Sequence, residues 1–222
     1  TGKRAVQAAV RIAIDQVREG LVSKEEALLR IDPNLIESLF KPRFDPKAKR
    51  ESLAKGLAAS PGAAVGEIAF NPEDAEKMAE EGRKVILVRT ETSPEDIHGI
   101  AASEGVLTSR GGFTSHAALV TRAMGKPAVV GCEGIEVDYK KGIFRAGKKS
   151  FKKGEYISID GETGEVFAGR IQTLPPKPGK QLDEVLRWAD KLRKMEVFAN
   201  ADTPFDARKA REFGAQGIGL CR

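Results

Sequence analysis

Cysteine is scarce in these 222 residues: Cys132 and Cys221 are the whole supply, far apart and close to no histidine cluster. They define neither a disulfide framework nor a zinc site, and they suit a reducing cytoplasm. No apolar stretch approaches the ~20 residues of a membrane helix. The opening "TGKRAVQAAV" has neither the apolar core nor the cleavage site of a secretory signal. Aromatic residues make up only 6% of the chain and do not interleave with the basic ones. Neither nucleic acid nor membrane is therefore an expected partner, and the net charge of +5 favours anions in general. What remains is a chain 41% hydrophobic and 31% charged, soluble and able to bury a core.

Apolar residues Val6, Val10, Ile14, Val17 and Leu21 recur at helical spacing, and Ser23 to Glu26 has the form of a capping box opening a second helix. Asp32-Pro33 predicts a third short helix. The segment from Lys41 to Lys55 is basic, carries two prolines and reads as a linker. From Leu57 to about Arg170 strands alternate with helices and then give way to hairpins, with turns at Asp160-Gly161 and Thr163-Gly164. Asn71-Pro72 and Ser93-Pro94 are helix starts within that stretch. Thr173 to Gln181 carries three prolines and is expected to be extended. A helix around Val185, Trp188 and Leu192 precedes a final strand, helix and strand. The expected domains are a helical segment with linker (1–56), an α/β body (57–172), a linker with connecting helix (173–195) and a βαβ unit (196–222). A lone βαβ unit leaves sheet edges uncovered, so the chain reads as a piece of a longer polypeptide.

Histidine is as rare as cysteine, and one of the two sits in "RGGFTSHAALVTRAMGKPAVVG". Gly111 and Gly112 let backbone approach a bulky anion. Thr114 or Ser115 then caps a helix whose first turn holds His116. Free amides and the helix dipole favour negative charge there, so a phosphoryl group carried on His116 would be welcome. The competing reading is a merely solvated histidine. No acidic residue lies nearby in sequence to orient the ring, and the Walker pattern is absent. Arg122 and Lys126 are either phosphate supports or solvated charges near the helix end, and His98 reads as a surface residue.

Several motifs together sharpen this. "GGFTSHAALVTRAMGKPAVVGC", with "SPGAAVG" and "ETSPEDIHGI" before it and "NADTPFDARKAREFGAQGIGLCR" after it, resembles the pyruvate, phosphate dikinase family in the same order. Phe113 stands where that family often has methionine. The resemblance implies a swivelling β/α phosphohistidine domain, preceded by short helices and followed by the start of a TIM barrel. It implies that His116 carries a phosphoryl group from ATP, with inorganic phosphate as co-substrate, to pyruvate to give phosphoenolpyruvate. Gly111, Gly112 and Ser115 would support the phosphate. Thr114 would match a regulatory phosphorylation site and Arg222 a substrate-binding arginine. Magnesium would be held by parts of the enzyme outside this chain, with no metal site within it, and a homo-oligomer is expected. A phosphoenolpyruvate synthase-like enzyme is the rival within the class, and a stand-alone carrier or binding module the rival outside it.

Overall fold

A computed structural model describes residues 6–33, 36, 39–176 and 179–221. The chain divides into two compact units, Pro33–Lys177 and the pairing of Thr1–Asp32 with Pro178–Arg222.

The larger unit is built on an eight-stranded sheet, in spatial order Ser52–Lys55, Glu165–Ala168, Tyr156–Asp160, Ala63–Ala69, Val85–Arg89, Gly105–Thr108, Ala128–Val130 and Leu57–Ser60. The four strands from Ala63 to Val130 run parallel, and the flanking ones are antiparallel. Parallel strands need cover on both faces, which is why "VILV" is apolar without alternation. Val85 and Leu87 face helices Pro72–Glu80, Ile97–Ala102 and His116–Ala123, packing with Met78, Ile100, Ala117 and Ala118. Ile86 and Val88 face the other way, onto Ile135 and Phe144 of a three-stranded antiparallel sheet, Ile135–Asp138, Ile143–Ala146 and Lys149–Lys152. The result is three layers, with helices on one face of the main sheet and a small sheet on the other.

Local signals hold where they were strongest. Ser23 and Glu26 make the reciprocal capping box, Asn71 caps the helix opened by Pro72, and Ser93 with Asp96 caps a short 3₁₀ turn. The linker expected over Lys41–Lys55 is corrected by the structure. Ser52–Lys55 is an edge strand of the main sheet, and Arg43–Phe44 pairs with Thr173–Leu174. Phe44 is buried against Phe167, edge to face at 5.8 Å. The expected third helix near Asp32-Pro33 lies largely outside the described residues.

In the smaller unit, helices Val6–Arg18 and Lys24–Leu29 pack on Lys180–Leu192 and bury Val10, Ile14, Ala27, Leu182 and Trp188. Arg18 bonds Glu184 at 3.0 Å. Strand Phe198–Ala199 pairs in parallel with Gly217–Ile218 around helix Pro204–Glu212, so the expected βαβ connection is present. Among the described residues no helix is long and apolar enough to cross a membrane.

One charged cluster fixes an edge of the larger unit. Arg83 donates twice to Glu67, from Nε at 3.0 Å and also from a terminal nitrogen, while the Tyr156 hydroxyl donates to Oε1 at 2.6 Å. The bond from Arg83, opposed by partial burial and helped by Tyr156, holds the Glu67 carboxyl below its usual range. A depressed folded value stabilises above the unfolded value, near 4.3, and that contribution is lost as pH falls through the folded one. Glu67→Gln should therefore flatten the acid limb of a stability-against-pH curve below about pH 4.5. Equal acid sensitivity in both proteins, read by thermal melts, would sink the assignment.

Candidate functional site

Three neighbouring parallel strands end at one edge of the main sheet, and the chain leaving each one contributes to a single site. Strand Val85–Arg89 leads to Thr90–Ser93, Gly105–Thr108 leads to the Arg110-Gly111-Gly112 loop, and Ala128–Val130 leads to Gly131. The carboxyl ends of parallel strands are where ligands meet an open α/β sheet.

Backbone bonds lace these segments together. Arg110 N–H donates to Thr90 O at 2.9 Å, Ser109 N–H to Arg89 O at 3.1 Å and Cys132 N–H to Thr108 O at 2.9 Å. The Thr108 hydroxyl donates to Arg110 O at 2.7 Å. Gly111 takes φ +111° and Gly131 φ +58°. A Cβ on Gly131 would lie 2.4 Å from Gly111 O, so the glycine loop rests directly on that residue. Around Gly112 there is open space.

The loop then turns, Ser115 N–H to Gly112 O at 3.0 Å, and enters helix His116–Ala123. Of the two expected caps it is Ser115 that serves, its hydroxyl accepting from Ala118 N–H at 3.4 Å. His116 is thus the first helical residue, and the amides of its turn precede the intrahelical ladder. Its partially exposed ring meets Thr92, with Nδ1 3.1 Å from Oγ1. When Nδ1 carries the proton and donates to Thr92, the Nε2 lone pair is left as the nucleophile. Sequence reading missed Thr92. It stands in the quoted "ETSPEDIHGI", but only the alignment of strand ends brings it to the histidine.

The remaining candidates are sorted by their contacts. Thr114 and Phe113 are exposed beside the histidine. Arg122 donates from Nε to Ala118 O at 2.9 Å and also to Phe113 O, so it holds the loop. Lys126 donates to Ser103 O, and burial lowers its pKa. His98 is exposed on its short helix. Arg222 lies outside the described residues. Cys132 is buried, and its thiol pKa is pushed up to about 11 by that burial, which makes it a poor nucleophile. Beside Arg110 opens a cleft of about 460 Å³, lined also by Glu133 and Glu136. The two carboxylates oppose the pull of Arg110 on an anion there, whereas the helix start offers free amides.

The fold and this helix-borne histidine define a class. Residues 82–164 match the mobile domain of PEP-utilising enzymes, and residues 177–222 match the PEP-binding domain of the same enzymes. The chain belongs to the PEP-utilising enzymes. Within that family it is similar, over its full length, to pyruvate, phosphate dikinases. It is 52% identical to the one from Rhizobium meliloti (strain 1021), of which it covers 25%. It is 52% identical to that of Giardia intestinalis, covering 25%, and 50% identical to the chloroplastic dikinase 1 of Arabidopsis thaliana, covering 23%. The chain thus spans about a quarter of the length of these relatives.

Proposed function

We propose that this chain is the phosphoryl-carrying part of a pyruvate, phosphate dikinase. ATP and inorganic phosphate charge His116 and leave as AMP and pyrophosphate, and the phosphoryl group then passes to pyruvate to give phosphoenolpyruvate. The observation that carries this reading is the His116 ring at a helix start, with Nδ1 engaged by Thr92 and a glycine loop beside it. Nε2 attacks phosphorus, the bond to the leaving oxygen breaks, and the amides of the first turn receive the new anion.

The similarity to dikinases over the full chain supports pyruvate and phosphoenolpyruvate as substrates, with the nucleotide bound by a neighbouring domain. A single histidine serves both only by travelling, so the unit Pro33–Lys177 swivels about the segments at its two ends. Residues 196–222 open a TIM barrel, where Arg222 binds the substrate's phosphate or carboxylate through its fork of donors. The resemblance to dikinases also implies a magnesium ion, and among the described residues no three carboxylate, imidazole or thiol groups converge on one point. That ion is assigned to parts of the enzyme outside the chain. The two free thiols are compatible with a reducing, cytoplasmic setting, and we expect a homo-oligomer.

Incubating the full-length enzyme with labelled phosphoenolpyruvate should give an acid-labile, alkali-stable label, mapped to His116 by peptide sequencing. A label on His98, or an acid-stable one, would overturn the assignment. Thr114 is exposed two residues before His116, and a phosphate on it would add about −1.5 to −2 charge at the same amides. Thr114→Glu should slow labelling about tenfold or more through repulsion of the incoming group. Labelling at the wild-type rate would exclude this regulatory role.

A further inference from the structure

Asp96 is the most buried charged group near the site, its side chain 2% exposed, and its part in the Ser93 cap does not account for its pairing with Arg89. One oxygen, Oδ1, lies 3.2 Å from Arg89 Nε. That nitrogen makes no aligned hydrogen bond among the described residues, so the contact is an ion pair held by charge. The other oxygen, Oδ2, accepts from Ser93 N–H at 2.7 Å and from the Ser93 hydroxyl at 3.3 Å. Arg89 is itself fixed, donating from Nη1 to Phe70 O at 3.0 Å and lying 5.2 Å from the Tyr139 ring centre. The Tyr139 hydroxyl accepts from Thr90 N–H at 2.7 Å. Every anchor bears on the four residues between Arg89 and Pro94, and Thr92, in the middle, is the one that reaches His116.

We propose that Asp96, neutralised by Arg89, is a positioning residue for His116. By clamping Ser93 it holds Thr92 Oγ1 where it accepts from Nδ1–H and keeps the Nε2 lone pair free. This rests on the reading of His116 as carrier. A buried carboxylate is retained here because the clamp needs two directed acceptors and a charge, which an apolar residue cannot supply.

The chain contains two histidines, so each can be followed by ¹⁵N NMR of the imidazoles, with exposed His98 as internal reference. The wild-type chain should show His116 mainly with Nδ1 protonated. Asp96→Asn should lower that tautomer ratio about three- to tenfold, the span of one net hydrogen bond, with His98 unchanged. Arg89→Met, which leaves Asp96 without its cation, should act likewise and gives the reading where Asp96→Asn does not fold. Arg89→Lys, which keeps the charge beside Asp96 but loses the guanidinium fork, should lower the ratio less than Arg89→Met does. An unchanged ratio in a folded Asp96→Asn or Arg89→Met chain overturns the proposal. So does an equal drop in Arg89→Lys, because packing alone would then set the loop. In the full-length enzyme, Asp96→Asn should slow labelling of His116 in proportion to its ratio. Absence of label on wild-type His116 counts against the carrier reading, whereas equal labelling rates in both proteins count against positioning.

Discussion

His116→Ala is expected to remove the phosphoryl label completely while leaving the unfolding of the chain nearly unchanged. The two outcomes separate because the histidine contributes little to the fold. Its ring is partly exposed, its side-chain hydrogen bond among the described residues goes to Thr92, and the helix start is secured by the neighbouring cap Ser115. Burial in that first turn comes from Ala117 and Ala118, which face Leu87 and Val106 in the core behind the helix. Alanine is also the better helix former, worth a few tenths of a kcal/mol in the opposite direction. The net change in stability should lie within ~0.5 kcal/mol, as for most substitutions away from packed features. Chemistry is different, since the carrier reading rests on the His116 ring alone, while Ser115 is engaged as the cap and Cys132 is buried with its thiol pKa pushed up to about 11. Residual labelling above a few per cent in the folded variant would mean that another residue carries the group.

How much of this was legible beforehand depends on the range of the interactions. Caps are local, and Asn71-Pro72, Ser23 with Glu26, and the helix opening at His116 all stand where the residues put them. The apolar run Val85–Val88 announced a strand covered on both faces, which the two cores confirm. Nonlocal pairing was not legible. Lys41–Lys55 looks like a linker because it is basic and carries prolines, yet Ser52–Lys55 finds a partner strand at Glu165–Ala168, far downstream. Flanking lysines and arginines on an edge strand guard against unwanted pairing, so the same charges fit an edge equally well. Thr92 was missed for a related reason. A threonine before Ser93-Pro94 suggests only a turn, and its value to His116 arises because two parallel strands end side by side. The Asp96 clamp was equally silent, since a serine and an aspartate three apart read as a cap and nothing more.

Gly131→Ala should do heavy structural damage beside the site. The residue sits at φ +58°, where an L side chain costs about 1–2 kcal/mol. The new Cβ would also meet Gly111 O at 2.4 Å, well inside contact distance, with Leu57 Cδ1 behind it at 3.6 Å. The glycine loop must give way, and it has little room to do so. Gly111 is itself at φ +111°, and the space on its Cβ side is closed by Ser115 at 3.0 Å. Any shift of Gly111 is therefore handed to Ser115, which caps the helix, and from there to His116. The expected result is a loss of ~2–4 kcal/mol, seen as a lower melting temperature, together with slower labelling of His116 well below that temperature. Gly112→Ala provides the contrast, because its Cβ meets nothing within 4 Å. That variant should melt within ~0.5 kcal/mol of the parent. It should nevertheless label more slowly if a phosphoryl group approaches the backbone there, since the methyl occupies the open space. Equal melting of the Gly131→Ala and Gly112→Ala chains would refute the contact between Gly131 and the loop. Fast labelling in a destabilised Gly131→Ala chain would refute its transmission to the histidine.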